Sequence, residues 1–350
     1  MKIGIVAPPW LPVPPPAYGG TEAVIDSLAV GYTALGHDVR LFAAGDSRCP
    51  VSKGWVFPSG VTPMNDVAAE CHHVQCAYED LRACDVIHDH TVLGPAMAPP
   101  DVPVVVTMHG PMTKSVRMLC SRFPGNTNIV AISSSQRESA PELPIQDVIH
   151  HGVELTKISY GAGNGGYLLF LGRMSPNKGV HDAITIAQRA GIPLLIAAKM
   201  RESDEREYFR ECVKPELSQS IQYVGEADEA EKFRLLGSAL ALVNPLQWPE
   251  PFGMVMIESL ATGTPVISFR GGSPSEIVDH GRTGFLCASV EDAANAALLV
   301  PVIDRSVCRR TVAERFSASR MTQDYDSVFR RVLAHRTVTR HRMPLQATAS

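Results

Sequence analysis

Two carboxylates, Glu250 and Glu258, stand eight positions apart in the run Glu250-Pro251-Phe252-Gly253-Met254-Val255-Met256-Ile257-Glu258. The Pro-Phe-Gly break before an apolar run reads as a helix entry. It puts one acid at the helix mouth and the other about a turn inside. A helix mouth offers free N–H groups and a partial positive charge, which suits a phosphate. Carboxylates there cannot bind the phosphate, but they can accept from sugar hydroxyls. The segment Gly172-Arg173-Met174-Ser175-Pro176-Asn177-Lys178-Gly179 carries two cations five positions apart, between an apolar run and a helix pattern. Arginine supplies a planar fork and lysine a point charge, and together they can reach a diphosphate. Acids for hydroxyls and cations for a diphosphate point to a nucleotide-sugar site.

Other candidates are open on the residues alone. Gly19-Gly20, between an apolar run and a helix pattern, lets backbone N–H groups approach an anion. It equally suits a plain loop closure, and it lacks GxGxxG spacing. His109 ends the run Val104 to Met108, where it could bond a substrate hydroxyl or serve structure only. Asp89 and His90 read as structural. Cys71, His72, His73 and Cys76 lack the spacing and second pair of a zinc site, and no metal is expected. The turn-rich Gly271-Gly272-Ser273 segment and Gly281 to Leu286 are expected to close the back of the second domain.

The elements needed to position these groups are legible as a series. Lys2 to Ala7 reads as a buried strand, Ala23 to Leu35 as a helix stopped by Gly36, and Val39 to Ala43 as a strand, forming a βαβ unit. Short β-branched runs follow at 86–87, 104–107, 129–132 and 148–149, as buried parallel strands do. The glycine-rich stretch Leu155 to Gly166 reads as a linker. A second series begins at Leu168, so the chain is expected to hold two doubly wound domains with the ligand at the strands' carboxyl ends. The 350 residues fit two domains, and the net charge of −4 argues against a nucleic-acid partner. No apolar run reaches transmembrane length, and eight scattered cysteines without a CxxC pair read as reduced cytoplasmic thiols.

In these motifs the chain resembles the family 4 glycosyltransferases, retaining enzymes of the GT-B fold. The resemblance rests on Glu250-Pro251-Phe252-Gly253 through Glu258 with Ala261-Thr262-Gly263-Thr264-Pro265-Val266. Gly19-Gly20-Thr21-Glu22, Gly172-Arg173 with Lys178-Gly179, Gly271-Gly272 and Thr283-Gly284-Phe285-Leu286 support it. It implies an α/β GT-B architecture of two Rossmann-like domains facing a central cleft. Residues 1–155 form the acceptor-side domain, 156–165 the linker and 166–318 the nucleotide-sugar domain, with a helix of about 319–350 packing back on the first. It implies that Arg173 and Lys178 hold the donor diphosphate and that His109 contacts the donor sugar near the anomeric carbon. Glu250 would bind sugar hydroxyls, Glu258 the ribose, and the backbone of Phe252, Gly253, Met254 and Val255 the sugar and phosphates. Gly19 and Gly20 would line the diphosphate from the first domain, with Gly225 and Glu226 near the base.

The implied reaction moves a sugar from a UDP- or GDP-linked donor to a hydroxyl acceptor, with no metal and no further cofactor. A GT-B epimerase and a non-catalytic sugar-nucleotide-binding protein are the alternatives. Where family members often carry Asn-Gly-Val-Asp, this chain has His151-Gly152-Val153-Glu154, preceded by His150. Membrane-acting members usually carry a basic amphipathic helix in the first domain. The comparable stretch here, Met64 to Cys84, has Glu70, Glu79, Asp80 and Arg82 as its only cation, so a small or soluble acceptor is expected.

Overall fold

In the computed structural model residues 1–17 and 19–342 are described, with side chains up to residue 335. The last residues of the expected C-terminal segment, 343–350, lie outside that range. Seven strands form the first sheet: β1 (Lys2–Val6), β2 (Asp38–Phe42), β3 (Ser52–Gly54), β4 (Val86–Asp89), β5 (Val104–Thr107), β6 (Thr127–Ala131) and β7 (Asp147–Val148). Six form the second: β8 (Leu168–Arg173), β9 (Leu194–Lys199), β10 (Ile221–Gly225), β11 (Ala241–Asn244), β12 (Val266–Phe269) and β13 (Gly284–Cys287). Strand pairing is parallel throughout both sheets. The orders are β3-β2-β1-β4-β5-β6-β7 and β10-β9-β8-β11-β12-β13. In each, the winding reverses between the first and fourth strands, β1/β4 and β8/β11. A doubly wound sheet opens its ligand crevice there, beyond the carboxyl ends of those strands. Strands covered on both faces read as unbroken apolar runs, and β4, β5 and β11 are buried at every position.

The helices of the first domain are α1 (Gly20–Ala34), α2 (Val67–Asp80), α3 (Lys114–Cys120) and α4 (Ser134–Glu138). Those of the second are α5 (Val180–Ala190), α6 (Ser203–Tyr208), α7 (Glu229–Ser238), α8 (Met254–Ala261), α9 (Pro274–Ile277), α10 (Val290–Leu299) and α11 (Arg305–Arg315). A final helix, α12 (Ala318–Arg342), returns to the first domain. Its Met321, Tyr325 and Phe329 join Ile3, Ile5, Ile25 and Leu28 in one core, and Tyr325 Oη lies 2.7 Å from Thr107 Oγ1. The crossing is close because α1 carries Gly31 at the contact, where an added Cβ would lie 2.3 Å from Thr322 Oγ1. No described helix is long and apolar enough to cross a membrane.

Two features differ from the sequence expectation. Helix α1 starts at Gly20, three residues before the expected Ala23, because the apolar pattern begins only after Thr21 and Glu22 while the backbone winds from the glycine pair. The glycines at 161–166, expected as a linker, are docked on the second domain. Gly161 N donates to Thr262 O (2.9 Å), Gly163 N to Gly237 O (2.9 Å) and Gly165 N to Ser238 O (2.8 Å). A Cβ on Gly161 would sit 2.1 Å from Gly237 O, so this glycine is required by backbone approach.

Candidate active site

Beyond the two switch points lies one cleft of about 940 Å³, walled by both domains. All eleven site residues named from the sequence line it: Gly19, Gly20 and His109 from the first domain, and Arg173, Lys178, Glu250, Phe252, Gly253, Met254, Val255 and Glu258 from the second. Arg173 ends β8, as the glycine-arginine pair after an apolar run implied. Lys178 follows on a short 3-10 turn, after which Gly179 (φ 77°) turns the chain into α5. Glu250 sits on the loop between β11 and α8. Gly253 caps α8 at φ 85°, where a Cβ would meet Met256 Cε at 2.7 Å. No side chain caps α8, so its first N–H groups open into the cleft.

The acids and cations are held in pairs. Lys178 Nζ donates to Glu250 Oε2 and lies 5.1 Å from the Trp248 ring. Lys232 Nζ, on α7, donates to Glu258 Oε1 at 2.7 Å. Each pair is partly buried, which strengthens the attraction relative to bulk water and fixes side chains that are long and flexible when alone. A diphosphate arriving at the α8 mouth would find cations already placed. Glu205 supports the same wall from behind. It is 3% exposed, accepts from Arg201 N (2.7 Å) and Glu202 N (3.1 Å), and stands 3.6 Å from Lys199 Nζ and 3.9 Å from Arg173 Nε. At the rim, Arg201 forms a forked ion pair with Glu226, with contacts of 2.7 and 3.0 Å.

The floor on the first domain's side is a set of imidazoles at and beyond the ends of β4, β5 and β7, with His88, His90 and His151 buried and His109 half-buried. His109 Nε2 lies 2.8 Å from His90 Nδ1. His151 stacks on His109 with ring centres 5.0 Å apart and meets the Phe252 ring edge-on at 5.1 Å. Burial pushes His109 down to about 3, and it also drives His88, His90 and His151 well below their ordinary value, with neighbouring histidines acting the same way. The rings are neutral near pH 7, able both to donate and to accept.

The sequence reading missed several cleft residues. Lys232 and Lys199 stand among ordinary polar helix and strand-end residues, and nothing local marks them. His151 stands out in the sequence only as a departure from the family pattern. Glu22, in the first turn of α1, is 4% exposed and lines the cleft, where burial raises its carboxyl to about 7, partly offset by a backbone hydrogen bond. One expectation is overturned. The Gly271-Gly272-Ser273 segment does not close the back of the domain; it packs under the acidic loop and reaches the first domain. A Cβ on Gly272 would lie 2.8 Å from Glu250 N, and Ser273 Oγ donates to Phe252 O. Glu276, on α9, accepts from Ser134 N and Ser135 N (both 2.8 Å) and lies 2.8 Å from His150 Nε2. Burial pushes its carboxyl upward, but these bonds outweigh it and leave the acid below its usual value. The glycines permit backbone contact with the Glu250 loop, which their turn chemistry alone did not reveal.

Two facing Rossmann-like domains with a cation-lined cleft at both switch points define a GT-B architecture. A profile described as Glycosyltransferase Family 4 matches residues 18–157, and one described as Glycosyl transferases group 1 matches residues 157–310. The chain belongs to the family 4 glycosyltransferases and is a glycosyltransferase enzyme. It is 28% identical to the glycogen synthase of Mycobacterium tuberculosis, over 89% of each chain. Among solved structures it is similar to AviGT4, a glycosyltransferase involved in avilamycin A biosynthesis, at 25% identity and a TM-score of 0.72, covering 95% of this chain and 98% of that one. The fold is shared with Anabaena HepE in complex with UDP and glucose, at 17% identity and a TM-score of 0.74, covering 94% of this chain and 99% of that one.

Proposed function

We propose that the protein moves a sugar from a nucleoside-diphosphate donor, UDP- or GDP-linked, to a hydroxyl of a small acceptor, with retention at the anomeric carbon and without a metal. The observation that carries this reading is the placing of the Lys178–Glu250 and Lys232–Glu258 pairs beside the uncapped mouth of α8. Arg173 and Lys178 hold the diphosphate with the N–H groups of Met254 and Val255. Glu250 then turns to hydroxyls of the transferred sugar and Glu258 to the ribose. Gly19 and Gly20 close on the diphosphate from the first domain, and neutral His109 bonds the sugar near its anomeric carbon. The UDP and glucose held by a protein of the same fold support this choice of ligand.

As the bond from anomeric carbon to phosphate oxygen breaks, the sugar becomes oxocarbenium-like and negative charge grows on the leaving phosphate. Arg173, Lys178 and the α8 mouth lie where that charge develops, which is where fixed positive groups accelerate transfer most. These cations supply the compensation a metal would otherwise give. The acceptor hydroxyl attacks from the face the phosphate leaves, and the departing phosphate oxygen takes its proton. We read the protein as cytoplasmic, with an acceptor in solution.

A thermal-shift screen over nucleoside diphosphates and nucleotide sugars identifies the donor, because a ligand bound only by the native state raises Tm. With that donor, Lys178→Ala is expected to lower kcat strongly and weaken nucleotide binding, and Glu258→Ala to weaken nucleoside-diphosphate binding in calorimetry. Unchanged affinity in both variants would remove the donor-site assignment. Full turnover after exhaustive chelation supports the metal-free reading; loss restored by a divalent cation contradicts it.

A further inference from the structure

Glu22 is a buried acid that the proposed chemistry leaves unused. It stands in the first turn of α1, a 15-residue helix whose N-cap is Gly19 and whose N-terminus has no side-chain cap. An added Cβ at Gly19 would lie 3.0 Å from Glu22 Oε2, so the carboxyl lies against the glycine turn. The next residue, Gly20, faces Met254, the first residue of α8, with 3.6 Å from its would-be Cβ to Met254 Cγ. The uncapped mouths of α1 and α8 therefore meet across the cleft with Glu22 beside them. Among the described residues no side chain forms a hydrogen bond or ion pair with the Glu22 carboxyl. Charged or titratable groups lining the same cleft are His109 and His151 from the first domain and Arg173, Lys178, Lys199, Arg201, Glu202, Glu226, Asp228, Glu229, Lys232, Glu250 and Glu258 from the second. Asp26 follows one turn along α1, and none of these groups contributes to the displacement of the Glu22 carboxyl.

We propose that Glu22 takes up a proton from solvent when a nucleotide sugar docks, and as the neutral acid donates a hydrogen bond to a diphosphate oxygen at the α1 mouth. This rests on the donor site proposed above. A carboxylate and a diphosphate share this space at a large electrostatic penalty, whereas a carboxylic acid adds a donor that α1 otherwise lacks there. The burial that already lifts Glu22 to about 7 leaves the proton easily gained. The balance is simple: the buffer loses a proton, a Glu22 oxygen gains it, and no bond of the sugar nucleotide changes.

The test is calorimetric titration with UDP-glucose and GDP-mannose, whose diphosphates stay fully ionised across the range used. At pH 8, titrations in phosphate and in Tris give the protons bound per site from the change of apparent enthalpy with buffer ionisation enthalpy. The wild type is expected to take up on the order of 0.5–0.9 proton per site at pH 8 and under about 0.1 at pH 6. Its affinity falls about tenfold from pH 6 to pH 8 by the same linkage. Glu22→Gln, which keeps the shape and an N–H donor, is expected to abolish the uptake and flatten that decline. Equal enthalpies in both buffers for the wild type, or unchanged uptake in Glu22→Gln, overturn the proposal while the donor reading stands. If neither sugar nucleotide binds even at pH 6, the donor reading fails and takes this proposal with it.

Discussion

Replacing His109 by asparagine tests the electrostatics of the cleft floor through stability. In the folded protein burial holds His109 down to about 3, against an ordinary value of 6.5. As pH falls, the unfolded chain binds a proton at this position well before the folded chain does. Stability present above pH 6.5 is therefore lost progressively below it. Between pH 8 and pH 5 the loss is 2.303RT for each pH unit below 6.5, or about 2 kcal/mol from this residue. Asparagine cannot titrate, but it retains a donor and an acceptor for His90, whose Nδ1 lies 2.8 Å from His109 Nε2. Packing lost with the ring is lost at both pH values and cancels in the comparison. Urea unfolding of wild type and variant at pH 8 and pH 5 gives four free energies. Their double difference is expected to be about 2 kcal/mol, with the variant less acid-sensitive. His88, His90 and His151 are shifted in the same direction, so the variant keeps a residual slope. An equal loss of stability on acidification in both proteins would refute a desolvated, neutral His109.

Glu22 acts with the opposite sign. Its folded value of about 7 against 4.5 opposes folding as pH rises through that window. Glu22→Gln is therefore expected to stabilise the protein by up to about 3 kcal/mol at pH 8 and by about 1 kcal/mol at pH 5 in urea titrations, and equal effects at both would contradict it. Gly161→Ala places a Cβ against Gly237 O at 2.1 Å; a loss of roughly 1–3 kcal/mol and a lower Tm are expected, and an unchanged Tm would mean the glycine segment is not docked. Glu276→Gln removes the charge that accepts from Ser134 N, Ser135 N and His150 across the domains. Hydrogen exchange at Ser134 and Ser135 is expected to speed up in the variant, and unaltered protection would show that this contact does not hold the domains together.

The sequence by itself carried what local chemistry can carry. Gly253 marked the helix mouth because a positive φ between a loop and a helix selects glycine, and the spacing of Arg173 and Lys178 placed two cations between a strand and a helix. Buried parallel strands showed as β-branched runs because both their faces are covered. The class of enzyme followed from those motifs in order. Which groups meet was decided by tertiary structure, because partners distant in the chain leave no periodic trace. Lys232 finds Glu258 only once α7 packs beside α8. Glu22 resembles any first-turn acid until folding buries it at 4% exposure. Glu276 looks like a surface turn until α9 meets α4 across the cleft. A residue's type and spacing set its capacity for chemistry; its partners and its dielectric surroundings exist only when both domains are in place.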